Sequence, residues 1–254
     1  MDRKEILMTT IDLHQGDCLE LMKQIPDGGV DFVLCDLPYG ITANKWDVVL
    51  PFDKLWEQYN RIIKDHGCIA LFGREPFSSE LRLSNKKMYR YDWIWKKTLP
   101  GRYVQSHKMP MAAFENISIF YKHLPTYNPQ MREGKSYVRN DPNRKYKTDR
   151  NMHVKALSYE RKYSGRFPID VIEFSNGNHH VLHPTQKPID LLEYLIKTYT
   201  NEGMTVLDNC MGSGSTGVAC VNTNRNFIGY ELQPEYFEIA QKRINNAKEK
   251  RKIS

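Results

Sequence analysis

The chain lacks the features that announce several common classes of protein. Its five cysteines, spread over 254 residues, include no C-x-x-C pair, so neither a disulfide framework nor a tetrahedral zinc knot is expected. No stretch approaches the roughly 20 consecutive apolar residues of a membrane span. Met1 to Ile11 interleaves Asp2, Arg3, Lys4 and Glu5 with too few apolar neighbours for a secretory signal. A cytoplasmic protein with no membrane partner is expected. His179, His180 and His183 lie close together without a cysteine or carboxylate cluster, so they read as solvated loop histidines, and no metal is expected. Internal repeats and low-complexity tracts are absent too, apart from a basic C-terminal end.

What is present is positive charge, unevenly placed. The net charge of +7 and a pI near 9.0 point modestly to a polyanionic partner. Between Lys122 and Arg166 stand twelve Lys or Arg against four acids, an excess larger than that of the whole chain. This segment, 122–166, has little apolar periodicity. Tyr127, Tyr137, Tyr146 and Tyr163 are interleaved with its cations, and it reads as a loop-rich insertion that meets a partner.

Elsewhere short apolar runs alternate with helical patterns, which argues for one α/β domain over residues 1–254 with a largely parallel sheet. Strands are predicted at 30–36 and 67–73, and between them the spacing of Leu55, Trp56, Tyr59, Ile62 and Ile63 predicts a helix over 52–64. Aromatic and β-branched content predicts strands at 89–96 and 116–121, close enough to run antiparallel. The C-terminal third reads as helix 189–199, strand 204–208, a glycine turn, a helix from Thr216, strand 226–231 and helix 234–247. Trp93 and Trp95 are expected to pack on the sheet.

The run Thr205-Val-Leu-Asp-Asn-Cys-Met-Gly212-Ser-Gly214-Ser-Thr-Gly217 places glycines where a strand must turn tightly into a helix beside a ligand. Glu231 ends the next strand, where a carboxylate accepts hydrogen bonds from both hydroxyls of a ribose. An adenosine-type ligand follows. A nicotinamide oxidoreductase would use the same unit, but normally at the start of its nucleotide fold, and here the unit closes the chain.

Asp36-Leu37-Pro38-Tyr39-Gly40 follows a strand directly, so a carboxylate, a backbone carbonyl and an aromatic ring gather at a strand's carboxyl end, where open α/β sheets bind ligands. Asp36 and the Leu37 carbonyl supply acceptors for the two hydrogens of an amino group conjugated to a base. Tyr39 supplies a surface on which an extruded base stacks.

At these residues the chain resembles the S-adenosylmethionine-dependent DNA amino-methyltransferases, whose tetrad is Asp/Asn/Ser-Pro-Pro-Tyr. The order of tetrad, basic insertion, His183-Pro-Thr-Gln-Lys-Pro188 and glycine motif looks like the permuted β group of that family. The resemblance implies a doubly wound, mostly parallel, seven-stranded Rossmann-like sheet with circularly permuted motif order and an inserted target-recognition region at 122–166. It implies Asp36, Leu37, Pro38 and Tyr39 as the catalytic group. For the cofactor, S-adenosylmethionine with S-adenosylhomocysteine as product, it implies Asp17 and Cys18 at the adenine. Thr185, Gln186 and Lys187 fall near the methionine end, with Asp208, Met211, Gly212, Gly214, Ser215 and Thr216 along the same moiety. Asp36 borders it and Glu231 takes the ribose. Leu37 stands where the family has proline, and Ser215 where it often has threonine.

The implied reaction is direct methyl transfer to adenine N6 of flipped-out bases in duplex DNA, since Asp at the first tetrad position usually accompanies adenine. Cytosine N4 is the alternative target, and a catalytically silent nucleic-acid-binding module is the alternative of another class. Ring-carbon methylation would need a catalytic cysteine beside proline, and the sequence has no Pro-Cys pair. The resemblance also implies a homodimer and a restriction-modification setting, without naming an endonuclease partner.

Overall fold

The computed structural model describes residues 9–40, 47–140, 160–176 and 186–253. His179, His180, His183, Tyr146 and Thr185 lie outside them. Strands β1 (Ile11–Gln15) and β2 (Val30–Cys35) flank a short helix α1 (Cys18–Leu21). All six residues of β2 are buried, as befits a strand covered on both sides. Because side chains alternate along a strand, Phe32 and Leu34 enter one core while Val33 and Cys35 enter the other.

Helix α2 (Phe52–Ile62) buries the predicted stripe of Leu55, Trp56, Tyr59 and Ile62. It passes directly into β3 (Ile63–Gly73), so this strand begins four residues before the predicted 67. Helix α3 (Phe77–Ser84), which the sequence reading did not anticipate, precedes β4 (Tyr89–Gly101) and β5 (Ala112–Phe120). These two strands are antiparallel, as expected. After β8 (Val171–Phe174) come α4 (Ile189–Tyr199), β9 (Thr205–Asp208), α5 (Ser215–Thr223), β10 (Asn226–Glu231) and α6 (Pro234–Ile253), the last running six residues beyond the predicted 247. β6 (Tyr137–Asn140) and β7 (Glu160–Tyr163) stand apart from the main sheet.

The main sheet runs in the order β1-β10-β9-β2-β3-β5-β4-β8. Among the described residues the sheet has eight strands: the six placed from the sequence, β1, which was not, and the four-residue β8 at the edge, parallel to β4. Among the described strands only β5 opposes its neighbours. Helices α4 and α5 contribute Leu191, Leu195, Ile196, Ala219 and Val221 to the core that holds Phe32 and Leu34, joined by Ala240 and Ile244 of α6. Helices α1, α2 and α3 contribute Cys18, Leu55, Tyr59, Phe77 and Leu81 to the core that holds Val33 and Cys35. The sheet is thus doubly wound. Trp93 and Trp95 are buried in it, their indole N–H groups donating to the Tyr199 hydroxyl at 2.6 Å and to the Phe174 carbonyl at 3.1 Å.

Residues 129–169 form a compact unit of their own, a narrower range than the 122–166 insertion at its start and a wider one at its end. Its described part contains a two-stranded antiparallel ribbon, β6 with β7, which the scant apolar periodicity of this loop-rich segment does not predict. Arg132 and Arg166 exchange backbone hydrogen bonds at 2.8 and 2.9 Å, and the Arg166 guanidinium lies 4.6 Å from the centre of the Tyr137 ring. Among the described residues no helix is long and apolar enough to cross a membrane, and no His, Cys, Asp and Glu group is disposed to hold a metal.

Candidate active site

Parallel strands share one carboxyl edge, and along it the chain sets out its acidic groups: Asp36 after β2, Asp208 at the end of β9, and Glu231 at the end of β10. Such an edge is where open α/β sheets receive ligands.

Between β9 and α5 the backbone reverses through Gly212 (φ +52°) and Gly214 (φ +77°), a left-handed conformation that side chains disfavour. A Cβ on Gly214 would also lie 2.8 Å from that of Ala240 in α6. Glu231 ties this turn down: the Gly212 N–H donates to its Oε2 at 2.9 Å and the Gln233 N–H to its Oε1 at 2.8 Å. Its own carbonyl accepts from the Gly16 N–H at 2.9 Å, drawing the end of β1 alongside. Burial raises the Glu231 carboxyl above the usual range. Next to Gly16, Asp17 caps α1 by accepting from the Leu19 N–H at 2.8 Å, and buried Cys18 lies 3.6 Å from the Asn209 amide nitrogen. Asn209, which the sequence reading passed over, is buried and also accepts from the Tyr59 hydroxyl at 2.6 Å. It fixes the first residue of the turn to α2.

Asp208 accepts from the Thr216 hydroxyl at 2.6 Å and from the Cys210 N–H at 3.2 Å. Burial nevertheless holds its carboxyl up at about 6, with those hydrogen bonds pulling the other way. The folded state therefore binds this proton more tightly than the unfolded chain. The stability so conferred is complete below the ordinary value of 3.8 and is lost as pH rises through about 6. Relative to Asp208→Asn, the wild type should lose about 2–3 kcal/mol of unfolding free energy between pH 4 and 7. Denaturant unfolding of both proteins across that window checks it, and parallel pH profiles would refute it.

Met211 and Ser215 are buried, the latter accepting from Arg243 at 3.2 Å; Arg243 also donates to the Ser213 carbonyl at 2.6 Å. The Ser213 hydroxyl donates to Gln186 at 3.3 Å, which brings the segment ahead of α4 onto the glycine turn.

Gln186 is followed by the principal surprise. Lys187, expected near the methionine end of the cofactor, has its ammonium between two protein carboxylates, 2.6 Å from Asp36 Oδ2 and 3.3 Å from Glu115 Oε2. Glu115 is held from its other side by Lys97 at 2.5 Å. Asp36 Oδ1 accepts from the Tyr39 hydroxyl at 2.5 Å, and the Tyr39 ring packs on Phe77 with centroids 4.9 Å apart. Asp36, Lys187, Glu115 and Lys97 so form an alternating line of charge, mostly shielded from water, and Lys187 further lies 5.0 Å from the centre of the Phe72 ring. Burial opposes ionisation of Lys187, but the two carboxylates outweigh it and hold its pKa above the usual lysine value. Burial, and then Glu115, push Asp36 up, against the pull of Lys187 and Tyr39. Glu115, between two cations that outweigh its burial, is held down. Leu37 is buried behind the carboxylate and Pro38 continues the loop towards Gly40, whose N–H donates to Asp47 at 2.8 Å. Nearby Cys35 is no nucleophile in waiting, since burial pushes its thiol up to about 12.

A tetrad whose carboxylate is fixed at the end of β2, beside a glycine turn tied to the carboxylate that ends β10, is the arrangement expected of a methyltransferase that takes its methyl group from S-adenosylmethionine. Residues 30–242 match the model of the N6/N4 DNA methylase family. Over 245 residues the chain is 26% identical to the type II methyltransferase M.HpaI of Haemophilus parainfluenzae, covering 91% of this chain and 73% of that one. It is 26% identical over 252 residues to the DNA adenine methyltransferase YhdJ of Escherichia coli K12, covering 91% and 82%. Among solved structures, the M1.HpyAVI–SAM complex superposes with a TM-score of 0.61 at 26% identity, covering 92% of this chain and all of that one. The cytosine-N4-specific PvuII DNA methyltransferase shares the fold, with a TM-score of 0.64 at 17% identity over 95% and 93%. The chain belongs to the N6/N4 DNA methylase family. It is a DNA methyltransferase, its cofactor is S-adenosylmethionine, and its fold is the permuted, doubly wound sheet of that family.

The donor set suits this cofactor. Acceptors at Glu231 match ribose hydroxyls, and Asp208 at the edge matches a cationic methionine head. The first turn of α5 leaves backbone N–H groups without intrahelical partners for a carboxylate.

Proposed function

We propose that the chain methylates adenine N6 within a specific sequence of duplex DNA, with Asp36, the Leu37 carbonyl, Pro38 and Tyr39 forming the site that receives the flipped base. The observation that carries this reading is Asp36, held by Tyr39 and Lys187 at the end of β2 on the edge that also bears the glycine turn. S-adenosylmethionine supplies an electrophilic methyl group. Asp36 and the Leu37 carbonyl accept the two amino hydrogens and so turn the nitrogen lone pair out of conjugation, which is orientation rather than covalent catalysis. As the nitrogen gains positive charge, the Asp36 carboxylate neutralises it and takes the surplus proton. Burial favours that protonation, while Lys187 keeps the carboxylate charged beforehand.

Around the cofactor, Glu231 accepts from the ribose, Asp17 and Cys18 border the adenine, and Asp208, Met211, Gly212, Gly214, Ser215, Thr216, Thr185 and Gln186 surround the methionine moiety. Lys187 acts there through Asp36. Residues 129–169, rich in Arg, Lys and Tyr, read the target sequence, phosphates meeting the cations and bases the polar side chains. A homodimer in the cytoplasm completes the proposal.

Adenine is favoured over cytosine by aspartate at the first tetrad position, and one relative, matched over 82% of its length, carries adenine in its name. Incubation with labelled S-adenosylmethionine and unmethylated duplex DNA, followed by nucleoside mass spectrometry, is expected to yield N6-methyladenine. N4-methylcytosine would overturn the target and keep the chemistry. Cofactor binding without any methylated base would favour a silent DNA-binding module.

A further inference from the structure

Beyond the sheet edge, β4 and β5 continue into a turn that the catalytic group does not use. From Gly101 to Met111 every residue is exposed, yet the turn is ordered. Its tip carries four backbone hydrogen bonds, from Gln105 to Arg102 (2.9 Å), Ser106 to Tyr103 (3.0 Å), Lys108 to Gln105 (2.8 Å) and Met109 to Gln105 (3.1 Å). Arg102, at φ +64°, sets the reversal. Asn176 braces the stem, accepting from the Leu99 N–H and donating to the Leu99 carbonyl, both at 2.9 Å.

The side chains on this turn are of two kinds. Tyr103 and Val104 are 78% and 93% exposed, and Met109 and Met111 are exposed beside them. The remainder is cationic or neutral: from Thr98 to Phe114 the seventeen residues include Arg102, His107 and Lys108 and no acid. An ordered turn with large apolar groups at its apex and only positive charge around them suits a partner that is polyanionic outside and apolar between its stacked layers. A base-paired duplex is such a partner.

The position is equally telling. β4 runs parallel to β2, so the turn leaves the same edge as Asp36. The stem is bonded to the catalytic group as well, because Lys97 of β4 and Glu115 of β5 form an ion pair whose carboxylate meets Lys187, which meets Asp36. Pulling a base from the stack leaves a gap beside it, and apolar side chains inserted between base steps are a recurrent way of opening a duplex.

We infer that the β4–β5 turn enters the duplex next to the target, Tyr103 and Val104 filling the space the flipped base vacates and Arg102 and Lys108 meeting the flanking phosphates. The inference rests on the methyltransferase reading above. Duplexes with 2-aminopurine at the methylated position report it, since that base brightens on leaving the stack. With wild type the signal rises on binding. With the double variant Tyr103→Ala, Val104→Ala the rise should largely disappear and kcat/KM on fully paired duplex should fall about tenfold or more. On duplex with an abasic site opposite the target, which costs little to open, kcat/KM should stay within about threefold of wild type. Affinity for S-adenosylmethionine should not move.

Wild-type transfer together with an unchanged 2-aminopurine signal in the variant overturns the inference and leaves the functional reading standing. So does altered sedimentation with unchanged fluorescence, which assigns the apolar tip to contact between two copies of the chain. Failure of the wild type itself to methylate any DNA removes the functional reading and this one together.

Discussion

Asp36→Ala is expected to lower methyl transfer by about 10²- to 10⁴-fold, the usual worth of a positioned proton acceptor, while calorimetry finds S-adenosylmethionine bound nearly as well as by wild type. The reason lies in the division of labour along the sheet edge. Glu231 is linked to the glycine turn through its carboxylate and to the end of β1 through its carbonyl, by hydrogen bonds in which Asp36 takes no part. Removing the carboxylate also leaves Lys187 with Glu115 at 3.3 Å, so its ammonium stays paired and the fold survives. Asp36→Asn is the more exacting variant. It keeps the shape and one acceptor oxygen but neither the charge nor the capacity to take a proton, and it should fall close to alanine. An asparagine variant with near-normal kcat would mean that Asp36 orients the amino group and nothing more, and an active alanine variant would overturn its assignment altogether.

Lys187→Met should have the second-largest effect, on two readouts with separate causes. The substitution leaves Asp36 and Glu115 facing one another without the cation between them, and loss of one partner from a buried charged group costs about 3–5 kcal/mol. Denaturant unfolding measures that loss. Asp36 should in addition hold its proton to higher pH, so the acid limb of the pH–kcat profile moves upward while affinity for the cofactor stays unchanged. Combining Lys187→Met with Glu115→Gln removes one of the opposed charges and should recover much of the stability. The acid limb should then shift back only in part, since Asp36 still lacks its cation. A lysine that served the cofactor's carboxylate would behave differently: its loss would weaken S-adenosylmethionine binding and leave the acid limb in place.

These expectations separate what the residues declared in sequence from what only folding brought together. β2 and β3 were legible because strands buried on both faces need uninterrupted apolar runs, and β10 and α4 were legible to the residue because glycine, proline or a polar turn bounds each. Helix α3 escaped notice: Phe77-Ser-Ser-Glu-Leu-Arg-Leu-Ser84 is too short for its apolar period to stand out. β6 and β7 were invisible for another reason. Their ladder joins Tyr137–Asn140 to Glu160–Tyr163 across a long polar connection, and no local pattern encodes such a pairing.

The Asp36-Leu37-Pro38-Tyr39 tetrad, the glycine turn and Glu231 were legible as contiguous motifs at strand ends, which is where the fold places them. Glu115 was not. It lies in a strand among Ala112, Ala113, Phe114 and Asn116, far in sequence from Lys187, and only the register of β4 with β5 puts Lys97 within its reach. Lys187 itself was singled out with its motif, but its two protein partners were not. Its motif sits near the turn, but its ammonium points across to β2 and β5.

The sheet order has one more consequence, for how the molecule comes into being. Among the described strands β1 pairs with β10 alone, and more than two hundred residues separate the two in the chain. A nascent chain therefore exposes Asp36 well before the glycine turn and Glu231 have been made. Until β10 slots between β1 and β9, β1 has no neighbouring strand among those described, so the place of an early segment in the sheet is settled by a late one.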